Sequence, residues 1–251
     1  MDIHSFYENI KSQAEAINVN LNNEMCEQFY YYMKLMLEWN ENINLTAIIE
    51  EDEIILKHFV DSLTINKYIQ TKNKVIDIGT GAGFPGMPLA IVNKENKFTL
   101  LDSLNKRVKF LLQVKEDLKI DNVEAIHARV EEFAKNEQYR ENYDIATSRA
   151  VAKLNVLLEY MLPLVKVGGK CICMKGSNIE EEVQQAQQSL KILGGKISKV
   201  DTIMLPKSDI SRNIIIVEKV EKTPAKYPRK AGVPVKEPCL LYTSPSPRDC
   251  S

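Results

Sequence analysis

The first place where residue type and spacing imply chemistry is an apolar run that ends in glycines, Val75-Ile76-Asp77-Ile78-Gly79-Thr80-Gly81-Ala82-Gly83-Phe84-Pro85-Gly86. A strand that turns through glycines into a helix presents backbone amides, and glycine lets a ligand approach the main chain with no Cβ in the way. Gly79, Gly81 and Gly83 meet that need. Pro85 suits the first turn of the following helix, expected through Met87, Leu89 and Ile91, because its φ is already helical and its missing N–H would go unpaired there.

Two kinds of ligand fit this turn. Gly81-Ala82-Gly83-Phe84-Pro85-Gly86 satisfies the G-x-G-x-x-G pattern of a dinucleotide site, which implies NAD(P) and hydride transfer. Against that reading, Asp77 lies inside the strand, the first glycine is already Gly79, and the sheet closes on an expected hairpin. These features favour S-adenosylmethionine as the cofactor. Asp102 closes Leu100-Leu101-Asp102-Ser103, where a carboxylate can accept both ribose hydroxyls or cap the helix from Leu104 onward. In Ala128-Arg129-Val130-Glu131-Glu132, the backbone of Val130 and Glu131 can meet an adenine edge, or the segment is simply a charged helix start.

Arg149 follows Tyr143–Thr147 and belongs at the carboxyl edge of the sheet, where its guanidinium can grip a carboxylate or phosphate bidentately. A surface ion pair is its plainer alternative. His58 and Asp61, three apart on an expected helix, can meet on one face as an acid–base pair or as a structural hydrogen bond.

These residues need a scaffold. The first seventy residues read as helices, the clearest carrying Met25, Phe29, Tyr32, Met36 and Trp39 at one apolar side chain per turn. That spacing favours a core stripe over a base-stacking platform of Tyr30, Tyr31, Tyr32 and Trp39, since these alternate round the helix. From Lys74 short apolar runs alternate with amphipathic segments: Val75–Ile78, Phe98–Leu101, Val123–His127, Tyr143–Thr147 and Gly169–Met174. This is the pattern of a parallel sheet covered on both faces. Lys196–Leu205 and Asn213–Val220 are joined too tightly for a crossover helix, so they form an antiparallel pair. The expected fold is α/β and Rossmann-like, a mostly parallel seven-stranded sheet with a terminal hairpin. Residues 1–70 form a helical extension, 71–222 the core, and 223–238 a basic, extended tail. Residues 239–251 shift abruptly in composition and are set aside as foreign sequence.

The 251 residues carry a formal net charge of -1, so no global basic field announces nucleic acid, and any RNA contact falls to local patches. Lys226, Arg229, Lys230, Lys106, Arg107 and Lys109 are candidates, with solvated surface charge as the alternative. No apolar run reaches the length of a membrane span, and Met1-Asp2-Ile3-His4-Ser5 lacks the layout of a signal peptide, so the expected place is the cytoplasm. Cys26, Cys171, Cys173, Cys239 and Cys250 show no metal or disulfide spacing. Cys171 and Cys173 should point to one face of a strand as small core residues.

Taken with Trp39-Asn40-Glu41-Asn42-Ile43-Asn44-Leu45-Thr46, His58-Phe59-Val60-Asp61-Ser62-Leu63, Leu101-Asp102-Ser103-Leu104-Asn105-Lys106-Arg107, Ser148-Arg149-Ala150 and Tyr227-Pro228-Arg229-Lys230-Ala231-Gly232, these motifs resemble the glucose-inhibited division protein B family. This is the small-subunit ribosomal RNA methyltransferase G family of bacteria. The resemblance covers almost the whole chain before residue 239. It implies methyl transfer from S-adenosylmethionine to N7 of a guanine in 16S ribosomal RNA, by a monomer whose partner is that RNA or the small subunit. It carries the family's cofactor positions to Gly79, Phe84, Val130, Glu131 and Arg149. Many relatives have alanine where this chain has Val130, a change of little weight if the contact is through the backbone. The other readings are an NAD(P)-dependent oxidoreductase and a non-catalytic RNA-binding or ribosome-assembly factor.

Overall fold

The structure is a computed structural model that describes residues 1–177 and 179–238; the segment 239–251, with Cys239 and Cys250, lies outside them. Asp2 caps α1 (Ile3–Glu15) by accepting the amides of His4 and Ser5, and Asn22 caps α2 (Asn23–Ile43) by accepting that of Met25. α2 buries Cys26, Phe29, Tyr32, Met33 and Met36, whereas Tyr31 is 47% exposed, so the stripe is core and no aromatic platform forms. After a loop, α3 (Glu51–Ile54), a wide π-helical stretch (Ile55–Val60) and α4 (Asp61–Leu63) run on continuously.

The strands are β1 (Lys74–Ile78), β2 (Lys97–Asp102), β3 (Val123–His127), β4 (Tyr143–Arg149), β5 (Val165–Lys175), β6 (Gly195–Met204) and β7 (Ser211–Lys219). They form a seven-stranded sheet in the order β3-β2-β1-β4-β5-β7-β6. β1 to β5 pair in parallel, and β7 runs antiparallel to both β5 and β6. Helices α5 (Gly86–Val92), α6 (Asn105–Asp117), α7 (Val130–Phe133), α8 (Leu154–Met161) and α9 (Glu180–Leu193) fill the connections. The expected mostly parallel sheet with a terminal hairpin is therefore present.

Alternation along the strands divides the core into two layers. Val75, Phe98, Leu100 and Ile145 pack with Phe29, Met36, Leu89 and Leu111 from the helices on one face. Ile76, Leu101, Cys171, Cys173 and Ile215 pack with Phe133, Leu157 and Leu190 on the other, and both cysteines are buried free thiols. Among the described residues no helix is long and apolar enough to cross a membrane.

Two local expectations change. Pro85 does not enter the helix: α5 starts at Gly86, and Pro85 precedes it across a cis Phe84–Pro85 peptide. The reason lies beneath the turn, where the Asp77 carboxylate accepts the Gly86 amide and makes it the first helical residue. The tail is not extended throughout, because Val233–Lys236 form a short helix, α10. Upstream of it, Arg140 donates to the carbonyls of Thr223, Pro224 and Tyr227, strapping the tail to the body.

Candidate cofactor and acceptor site

The glycine turn leaves β1 at the carboxyl edge of the sheet, beside the change of strand order between β1 and β4 where ligands of open α/β sheets bind. Gly79, Gly81 and Gly83 have φ of 64°, 62° and 104°. A Cβ on Gly83 would lie 2.4 Å from Tyr32 Oη, and one on Gly79 2.7 Å from Val151, whereas Gly81 faces open space.

The amides of this turn are not presented to a ligand as expected. Gly79 and Thr80 donate to the Leu101 carbonyl at 2.8 and 3.1 Å, and Gly83 and Phe84 to the Thr80 carbonyl, both at 2.9 Å. Gly81 donates to Asp102 Oδ2 and Gly86 to Asp77 Oδ2, each at 2.9 Å. β2 thus brings its own acceptors into the turn. A dinucleotide needs such amides, at a helix start, for its pyrophosphate; here a carboxylate already occupies the start of α5.

Asp77 is fully buried, and burial pushes its carboxyl up to about 7 despite hydrogen bonds from Thr80 Oγ1 and Gly86 N. Its other oxygen, Oδ1, is buried with no hydrogen-bond partner among the described residues. S-adenosylmethionine carries both an ammonium and a sulfonium, and the cavity beside the turn is lined by two acidic residues, Asp102 and Glu131, so the residues present fit that cofactor.

Gly79, Asp102, Val130 and Glu131 come together around a cavity of about 200 Å³, with Val151 and Tyr160. Asp102 is 3% exposed, and of the two roles expected for it the helix cap is formed. It caps, since Oδ1 accepts the Leu104 amide at 2.9 Å while Oδ2 accepts Gly81, and it lines the cavity, where a carboxylate has lone pairs to spare for hydroxyl donors. Gly81 does not line the cavity; it holds Asp102. A larger groove, about 1030 Å³, lies at the opposite edge of the sheet by Lys97 and Asn122 and holds none of the candidate residues.

Phe84 and Arg149 stand outside this cavity's lining, in a second cluster. The His58 ring stacks on Phe84 at 4.5 Å and 12°, and the Arg149 guanidinium lies 5.0 Å from the same ring. Arg149 Nη1 donates to Asp61 Oδ2 and the Lys57 carbonyl, both at 3.0 Å, and Nη2 lies 3.2 Å from His58 Nδ1. His58 and Asp61 therefore meet through Arg149. Burial, then the Arg149 charge, lowers His58 to about 3, so the ring is neutral. Since arginine only donates, Nδ1 accepts and the proton sits on Nε2, which faces Thr46 Oγ1 at 2.7 Å.

Thr46, Arg212 and Tyr160 were not singled out by sequence. Arg212 Nε reaches Asp61 Oδ1 at 3.1 Å. Thr46 had a signal as the last residue of the Trp39–Thr46 motif, and Tyr160 had one through its neighbour Glu159, a lone charge in the apolar run Leu154–Leu164. Two of the candidate RNA cations are already engaged. Arg229 forks onto Glu159, Nε to Oε1 at 2.9 Å and Nη2 to Oε2 at 2.7 Å, and Glu159 is 1% exposed. Arg107 lies 3.5 Å from Asp102 Oδ2. Lys106, Lys109, Lys226 and Lys230 remain exposed.

A parallel sheet with one reversed strand, a glycine turn held by a buried acid, and a second strand closed by Asp102 define a class I S-adenosylmethionine-dependent methyltransferase fold. Solved structures agree on the fold. A SAM-dependent methyltransferase from Aquifex aeolicus matches with a TM-score of 0.50 at 18% identity, over 65% of this chain and 92% of its own. TYW2 of M. jannaschii in complex with AdoMet matches with a TM-score of 0.50 at 15% identity, over 64% and 77%. The family model described as GidB, rRNA small subunit methyltransferase G, matches residues 25–214. Ribosomal RNA small subunit methyltransferase G of Acetivibrio thermocellus is 53% identical, over 90% of this chain and 93% of its own length. That of Alkaliphilus metalliredigens is 47% identical, over 91% and 97%. The chain belongs to the rRNA small subunit methyltransferase G (GidB) family.

Proposed function

We propose that the protein transfers a methyl group from S-adenosylmethionine to N7 of a guanine in 16S ribosomal RNA, as a monomer in the cytoplasm acting on that RNA or the small subunit. The observation that carries this reading is the pairing of an Asp102-lined cavity with an arginine cluster across the switch in strand order. Membership of a family whose relatives are named for the small-subunit rRNA supports the acceptor.

When bound, S-adenosylmethionine supplies an electrophilic methyl on a sulfonium. Guanine N7 carries a lone pair and no proton, so attack needs alignment and no general base. The chain's chemistry matches: both nitrogens of His58 are committed, Nδ1 to Arg149 and Nε2 to Thr46. His58 holds Arg149 in place and takes no proton. Gly79, Asp102 and the Val130–Glu131 backbone hold the adenosine. Gly81 sets Asp102, and Phe84 backs the Arg149 guanidinium, which would meet the acceptor beside the cofactor.

The test is a turnover assay with labelled methyl donor on unmodified small subunits and on their extracted RNA, followed by mass mapping of the methylated guanine. Incorporation at a guanine N7 is expected. Binding of RNA without incorporation would favour an assembly factor, and calorimetric binding of NAD(P)H in place of S-adenosylmethionine would favour an oxidoreductase.

A further inference from the structure

Asp61 is 1% exposed and divides its carboxylate between arginines from different strands, Arg149 at 3.0 Å and Arg212 at 3.1 Å. The two guanidinium groups are not equivalent. Arg149 is committed on several sides, to Asp61, to the Lys57 carbonyl, to His58 and to the face of Phe84. Arg212 keeps capacity. Its Nε is on Asp61 and its Nη1 on the carbonyl of Ser211, while Nη2 has no hydrogen-bond partner among the described residues. Its side chain is 25% exposed, against 16% for Arg149.

The position of Arg212 follows from register. β7 is antiparallel to β5, with Asn213 opposite Lys175, so the start of β7 lies beside the end of β5 at the carboxyl edge. Arg149 ends β4 on the same edge. The cavity lined by Asp102 and Glu131 spans the ends of β1, β2 and β3 and is closed on the β4 side by Val151 and Tyr160, so the arginine cluster stands outside its lining. An acceptor that meets a donor held in that cavity comes in over β4, β5 and β7. Two guanidinium groups, one carboxylate and a neutral imidazole leave one net positive charge there, which suits a polyanion.

We propose that Arg212, oriented by Asp61, takes a phosphate oxygen of the substrate RNA beside the target guanine. A phosphate is the better partner than the base edge. The usual bidentate grip of arginine on guanine uses O6 and N7, and N7 must be left open to the methyl donor. A cation against O6 would also oppose the positive charge that the ring gains on N7 methylation. The backbone oxygen carries neither conflict, and contacts of this kind set register without reading sequence.

This inference rests on the ribosomal RNA reading, and the wild-type protein tests that reading separately by binding and methylating unmodified RNA. With it in place, the experiment measures RNA affinity against salt, and KM and kcat for RNA, for Arg212→Ala and Arg212→Lys, with S-adenosylmethionine affinity measured by calorimetry. Arg212→Ala is expected to raise KM for RNA about tenfold and to lower the salt slope by about one. Arg212→Lys should keep the slope, and cofactor affinity should stay within about twofold. Should Arg212→Ala not fold, Arg212→Gln removes the charge while leaving a donor for Asp61 and gives the same comparison. An unchanged salt slope in the uncharged variant, or a loss of cofactor affinity matching the loss of RNA affinity, overturns the assignment while leaving the rRNA reading intact.

Discussion

Asp77 Oδ2 accepts the amide of Gly86 at 2.9 Å, tying the end of β1 to the first residue of α5 across the intervening turn. The same carboxyl leaves Oδ1 buried without a hydrogen-bond partner among the described residues. One residue therefore organises the turn and carries a cost that depends on pH.

The sign of that dependence follows from the raised carboxyl, from 3.8 to about 7. Between those values the native state keeps a proton that the unfolded chain has released, so this group's contribution to stability falls as pH rises and is constant above about 7. His58 acts in the opposite sense. Its ring is lowered from 6.5 to about 3, so its contribution is present above 6.5 and is lost as pH falls toward 3. The two offset one another in mildly acid solution. Asp77→Asn, which keeps an oxygen for Thr80 and Gly86, should raise the urea midpoint at pH 8 more than at pH 5. The upper bound on that gain is about 4 kcal/mol. An equal effect at both pH values would contradict a neutralised Asp77.

Gly86→Ala places a Cβ 2.2 Å from Leu100 Cδ2 and 2.9 Å from Asp77 Cβ. Overpacking of this kind costs about 1–3 kcal/mol, and Asp77 must shift to relieve it. Thermal denaturation should show the loss of stability, and calorimetry a weaker affinity for S-adenosylmethionine.

Arg149→Lys keeps a charge and loses the planar fork that meets Asp61, the Lys57 carbonyl and His58 together. Single-turnover methyl transfer should fall on the order of 100-fold, the scale of misplacing a positioning group by about 1 Å. Circular dichroism should remain that of the folded protein. Retained activity would remove Arg149 from the site.

Arg229→Ala leaves the Glu159 carboxylate buried without its guanidinium. The loss should be about 3 kcal/mol, at the lower end for a broken buried pair because the strap can lift and admit water. Because Glu159 neighbours Tyr160 in the cavity wall, cofactor affinity should weaken in parallel, measured by calorimetry on the folded fraction.

Much of this was legible in sequence because it is local. The strands announce themselves by apolar runs, and Gly79 to Gly86 is one continuous turn whose glycines must be glycines. What sequence could not show was where the hydrogen bonds of that turn go. Asp102 reaches Gly81 from 21 residues away and consumes an amide that the motif alone offers to a ligand. Asp61 and Arg212 are 151 residues apart, so no spacing pattern could pair them. Arg229 looked like a surface cation because the acid that claims it, Glu159, lies on a distant helix.

The π-helical stretch Ile55–Val60 has a further consequence. A wide turn is an α-helix carrying one extra residue, and such bulges gather at functional sites. Here it holds Lys57, whose carbonyl takes Arg149, and His58, and it sets the phase of Asp61 immediately after. Rewound at ordinary helical pitch with the same residues, the stretch would turn Asp61 by one residue's step, about 100°, around the axis. The arginine cluster thus depends on how widely this one turn is wound as much as on the identities of its residues.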